Sequence, residues 1–143
     1  MNATKRSPKK FDLIEHTADI GLRAYGRDLA EAFGNAAYGL FSIMADLRKV
    51  RRVESRAIAL EEKSPEDLLF EWLNYLIYLF DAEQLLFKRC DVQEFDGKRL
   101  KAICYGEKVN PSRHLIKLGV KAATYHMLKV DAEKNQVQVI FDI

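Results

Sequence analysis

The chain is predicted to be an α+β protein, a two-layer sandwich in which two amphipathic helices pack on one face of a mixed, mostly antiparallel sheet. Three observations predict this. Two segments carry apolar residues at helical spacing. Six or seven others are strand-like, with alternating or β-branched residues. Most of these strand segments are joined by short turns, as in hairpins. With 143 residues the chain suffices for one domain around one packed core. The expected division is a disordered basic arm over residues 1–10 and a single domain over residues 11–143.

A strand over Phe11–Glu15 comes first, then the polar segment His16-Thr17-Ala18-Asp19, then a strand over Ile20–Tyr25. Asp28 and Glu31 have the spacing of a capping box. Leu29, Ala32, Phe33, Ala36, Ala37, Leu40, Phe41 and Met44 then recur as one apolar stripe, which predicts a helix to about Ala45. Val50 to Glu62 reads as an edge-like strand. Ser64-Pro65-Glu66-Asp67 supplies an N-cap, a proline at the first helical position and acids in the first turn. The helix that follows, to about Ala82, is apolar around most of its circumference, which predicts burial on more than one side.

Leu85–Phe95 and Arg99–Val109 form a hairpin. A three-residue loop, Asp96 to Lys98, sets Cys90 opposite Cys104 and Val92 opposite Ala102, and this register keeps one face apolar. A last hairpin joins Thr124–Val130 to Gln136–Asp142. If Asp131 pairs with Gln136, Tyr125 falls opposite Asp142 and Thr124 opposite Ile143. Lys121 then lies just beyond the carboxyl end. His126 shares its parity with Leu128 and Val130 and is expected as a hydrogen-bonded core residue.

The composition is that of a soluble globular protein, 48% hydrophobic and 31% charged, and a net charge of +2 excludes a bulk polycation. Basic residues cluster in the N-terminal arm, at Arg48, Lys49, Arg51 and Arg52, and at Lys98, Arg99 and Lys101. These clusters could face RNA or an acidic partner, though they lack interleaved aromatics. No signal peptide and no membrane span is recognisable, so a cytoplasmic setting is expected. The two cysteines lack zinc-ligand or CxxC spacing; both are expected to be buried, and reduced in an ordinary cytosol, whereas a hyperthermophile could hold them as an intracellular disulfide.

The residues offer one chemical constellation. Asp142 stands beside the α-carboxylate of Ile143, and a second group of acids, Asp12, Glu15 and Asp19, lies next to His16. If the fold joins the two ends, the result is an oxygen-rich pocket for a hard cation. The alternative is an ordinary edge strand with solvated charges, and a turn at His16–Asp19 bonded to its own backbone. No phosphate-binding loop, dinucleotide fingerprint or nucleophile elbow is present.

Four segments together resemble the archease family: His16-Thr17-Ala18-Asp19-Ile20-Gly21, Trp72 to Asp81, Lys121-Ala122-Ala123-Thr124-Tyr125-His126, and Val139-Ile140-Phe141-Asp142-Ile143. The resemblance spans about Phe11 to Ile143, in order, and excludes the arm. It implies a small accessory protein, not an enzyme. The implied role is to promote guanylylation of the RtcB-type tRNA-splicing RNA ligase, and hence multiple turnover in RNA end joining. It further implies a metal site at Asp19, Asp142 and Ile143 and a functional lysine at Lys121. His16, Thr17 and His126 are the other candidate partner contacts. Hard oxygen donors suit Ca²⁺, Mg²⁺ or Mn²⁺ better than Zn²⁺, with Ca²⁺ the ion expected in a structure. The expected partners are the ligase and a tRNA methyltransferase served in a chaperone-like manner, with tRNA touched only weakly or indirectly and no membrane. The competing readings are an RNA-binding module and a metal-dependent hydrolase built on Asp19, His16 and Asp142.

Overall fold

The computed structural model describes residues 8–15, with Glu15 as backbone only, and residues 19–143. Its elements run β1 (Phe11–Glu15), β2 (Asp19–Tyr25), α1 (Leu29–Met44), β3 (Glu54–Glu61), α2 (Pro65–Glu83), β4 (Leu85–Phe95), β5 (Arg99–Lys108), β6 (Ala122–Asp131) and β7 (Gln136–Asp142). The α+β class holds. The strands divide into two sheets, β1-β2-β7-β6 and β3-β5-β4, and every pairing within them is antiparallel.

Local chemistry accounts for both helices. Asp28 accepts a hydrogen bond from the Glu31 N–H at 2.8 Å, and the Glu31 carboxylate reaches back to the N–H of Arg27 at 2.7 Å. This satisfies orphan donors at the start of α1. The Ser64 hydroxyl caps α2 by accepting from the Asp67 N–H, and Gln84 closes that helix in the left-handed region at φ 56°. The apolar stripe of α1 packs on β2 and β4, so the helix spans both sheets, while α2 packs mainly on β6. Trp72 is fully buried and donates its indole N–H to the Phe33 carbonyl at 2.9 Å, which ties the two helices together. Burial of each such large side chain contributes roughly 2–3 kcal/mol. Gly34 lets α1 approach β4 closely, since a Cβ there would meet the Cys90 carbonyl oxygen at 2.8 Å.

Three expectations need correction. The segment after α1 is not strand from Val50: Asp46 caps a short 3₁₀ turn, Leu47–Lys49, and β3 begins only at Glu54. Cys90 does face Cys104, and Val92 faces Ala102, but a bulge at Gln93 intervenes between this register and the loop. Both cysteines are buried, and they are joined as a disulfide rather than held as thiols. The last hairpin starts as expected, Asp131 opposite Gln136, but β6 then bulges between Thr124 and Lys129. Met127 takes φ 56° within the bulge. Ala122 therefore replaces Tyr125 opposite Asp142, Thr124 lies opposite Ile140, and His126 is exposed rather than in the core. Strand parity cannot predict this, because a bulge resets which face each later residue takes. His16, Thr17 and residues 1–7 of the arm lie outside the described residues. Lys10 is described, and its carbonyl accepts from the Tyr25 N–H at 3.0 Å.

A candidate metal centre at the paired ends of three strands

β7 lies between β2 and β6, so both neighbours present their ends to its last residues. Asp19, the first residue of β2, pairs with Asp142, the last of β7. Ala122 of β6 pairs with Asp142 from the other side, and the Lys121 N–H donates to the Asp142 carbonyl at 2.8 Å. The two carboxylates that lie at opposite ends of the sequence are thus register partners. Lys121 joins them, with its side chain exposed, and Ile143 follows directly.

Asp19 carries the decisive feature. Its Oδ1 is buried and has no hydrogen-bond partner, the one buried side-chain atom among the described residues in that condition. An unmatched carboxylate oxygen removed from water is costly unless a cation or donor completes it. Asp142 is exposed, so the arrangement is open on one side. Among the described residues no three His, Cys, Asp or Glu side chains come together. The side chains thus supply two carboxylates. A hard cation fits this donor type, and its remaining positions would fall to the Ile143 carboxylate, water or another molecule.

Asn74 holds this end of β6 in place, and the sequence reading gave it no such role. From the middle of α2 its side-chain oxygen accepts from the Ala123 N–H at 2.9 Å, and its amide donates to the Ala123 carbonyl at 3.2 Å. It therefore behaves as a substitute strand neighbour for Ala123, whose partner is Phe141. A poor helix former within an apolar helix was the available signal. Thr124 donates its hydroxyl to the Ile140 carbonyl at 2.8 Å. Tyr125 stacks on Phe70 and donates to Asp67 at 2.8 Å; that bond holds the phenol proton and pushes its pKa up to about 12.

A second cluster also escaped the sequence reading. Glu107 is buried, and its carboxylate accepts from Arg113 through two nitrogens, from the Arg51 N–H at 2.7 Å and from His114 Nε2 at 3.0 Å. His114 Nδ1 accepts from the Asn110 N–H, so Nε2 carries the ring proton in the neutral tautomer. These donors, Arg113 foremost, hold the Glu107 pKa down at about 2.

The class defined here is a small α+β protein in which two carboxylate residues, Asp19 and Asp142, are partners at the paired ends of β2 and β7. The chain belongs to the archease family: the model of the Archease protein family matches residues 11–143. A protein archease of Sulfurisphaera tokodaii is 41% identical over 135 residues, covering 93% of this chain and 96% of the relative. One of Thermococcus kodakarensis is 43% identical over 126 residues, covering 86% and 89%. The solution structure of a Methanobacterium thermoautotrophicum protein superposes with a TM-score of 0.73 at 29% identity, covering 93% of this chain and 98% of that one. No helix among the described residues is long and apolar enough to cross a membrane.

Proposed function

We propose that this protein is an accessory activator, not itself a catalyst, that promotes guanylylation of an RtcB-type tRNA-splicing RNA ligase. The observation that carries the proposal is the buried, unpartnered Asp19 oxygen opposite Asp142. Asp19, Asp142 and the Ile143 carboxylate would hold one divalent cation. Such an ion, when bound, supplies a positive centre that attracts phosphate and carboxylate oxygens. The protein's own part is positional. Asn74 clamps β6, β7 carries Asp142 beside Asp19, and Lys121 adds an exposed ammonium for the partner or its nucleotide. The archease of Thermotoga maritima, whose crystal structure is described as that of a possible chaperone, shares the fold with this chain at 23% identity.

Guanylylation of the ligase with GTP and a divalent metal, with and without this protein, tests the proposal. Wild type should accelerate it. Asp19→Ala, Asp142→Ala and a chain extended beyond Ile143 should not, although each remains folded. Full activation by all three variants would remove the carboxylates from the mechanism.

A further inference from the structure

Away from the carboxylates, α1, β4 and the segment after α1 enclose a cleft of about 640 Å³. A second cavity, of about 660 Å³, lies beside it, and Arg48 stands in the wall of both. Roughly twice as many cationic as carboxylate side chains line the two together, in a chain whose net charge is only +2.

These cations are of two kinds. Arg27, Arg48, Arg89 and Arg113 are paired with Glu31, Asp46, Asp91 and Glu107. Lys10, Arg52 and Lys88 have no carboxylate within ion-pair distance among the described residues. Instead, Lys10 lies over the Tyr38 ring at 4.7 Å, Arg52 over the Tyr105 ring at 4.4 Å, and Lys88 donates to the Val50 carbonyl at 3.2 Å. The aromatics that the basic clusters lack in sequence are thus supplied in space by α1 and β5. Cation–π contact orients a cation without neutralising its charge.

The buried Glu107 cluster serves the same surface. Glu107 binds the Arg51 backbone, while Arg113 and His114 both reach the Lys49 carbonyl. The backbone from Lys49 to Arg51 is held from beneath, and the side chains of Lys49 and Arg51 point to solvent beside the second cavity.

We propose that these two cavities form a track for the sugar–phosphate backbone of a single-stranded nucleic acid. Guanidinium forks match phosphate oxygens, and Tyr38, in the wall of the first cavity, offers a surface on which a base or sugar can pack. Two cavities that share one arginine suit a run of phosphates better than one compact anion. A single strand suits the concave walls better than a rigid duplex.

The test is fluorescence anisotropy with a labelled 12-nucleotide oligouridylate and the full chain. Competitors are the matching DNA strand, inorganic polyphosphate and a poly-glutamate peptide. If about five phosphates are neutralised, raising salt from about 50 to about 200 mM weakens binding about 100-fold. The triple variant Lys10→Ala, Arg52→Ala, Lys88→Ala should bind about 10-fold or more weakly, with a shallower salt dependence. Lys49→Ala, Arg51→Ala, Arg52→Ala, all on exposed side chains, should do the same. Lys98→Ala, Arg99→Ala, Lys101→Ala removes equal charge from the β4–β5 hairpin and should leave binding unchanged. Asp19→Ala should also leave it unchanged, which separates this track from the carboxylate centre. Matching DNA should compete, because the track reads backbone. Absence of binding at low salt, equal loss in the hairpin variant, or displacement by poly-glutamate as effective as by RNA overturns the proposal; the last result assigns the surface to an acidic protein.

Discussion

Two carboxylates, Asp19 and Glu107, show opposite solutions to the same physical problem. Glu107 is buried and meets donors from Arg113, His114 and the Arg51 backbone. Asp19 has a buried oxygen that meets none. The first is a finished structural node. The second is an acceptor left open, at a place where another carboxylate is its strand partner. Burial alone does not distinguish the two acids; hydrogen-bond satisfaction does, and a buried acceptor without a partner is the one that calls for a physical explanation.

The largest expected effect breaks the finished node. Glu107→Ala leaves Arg113 without its carboxylate partner, with only the Lys49 carbonyl remaining to it and His114, and should cost about 4 kcal/mol, read from urea unfolding. An unchanged midpoint would show that the cluster contributes nothing. Acid titration probes the same group without mutation. The Glu107 pKa is lowered from its ordinary 4.5 to about 2. Its contribution is therefore fully present above about pH 4.5 and is lost as the pH falls toward about 2, by at most about 3 kcal/mol. Glu107→Gln should lack this loss over the same interval, and an equal slope in both proteins would assign acid lability elsewhere.

The open site should respond to metal instead. A divalent ion at about 100 times its dissociation constant should stabilise wild type by about 2.7 kcal/mol, seen as a rise in Tm, and Asp19→Asn should gain much less. Equal gains would place the ion elsewhere. Asn74→Ala gives the smallest effect, about 1–2 kcal/mol for the lost clamp on Ala123. Under the proposed function it should also weaken ligase activation by loosening β6 beside Asp142. A variant that loses stability but activates normally would restrict Asn74 to a structural role.

Much of the fold was legible because its signals are local. The Asp28 and Ser64 caps, the apolar stripe of α1 and the alternation in β7 each depend on residues within a few positions of one another. Phe11–Glu15, Leu85–Phe95 and Gln136–Asp142 are therefore strands with the expected bounds. The Cys90–Cys104 facing was legible from keeping one face apolar, although the Gln93 bulge was not. Of the candidate site, the acids near the two ends were legible in sequence; that Asp19 and Asp142 are strand partners came from the register.

The sequence by itself determined the fold class, the two helices, the helix caps and the acids that a cation would need. Only the tertiary structure decided which oxygen is left unsatisfied, where β6 bulges and why His126 faces solvent. It alone placed Asn74 against Ala123, gathered Glu107, Arg113 and His114, and brought Tyr38 and Tyr105 beside cations remote in sequence. The physical reason is range. Propensity and periodicity act over one or two turns of chain, whereas desolvation and hydrogen-bond satisfaction depend on every group that packing brings near.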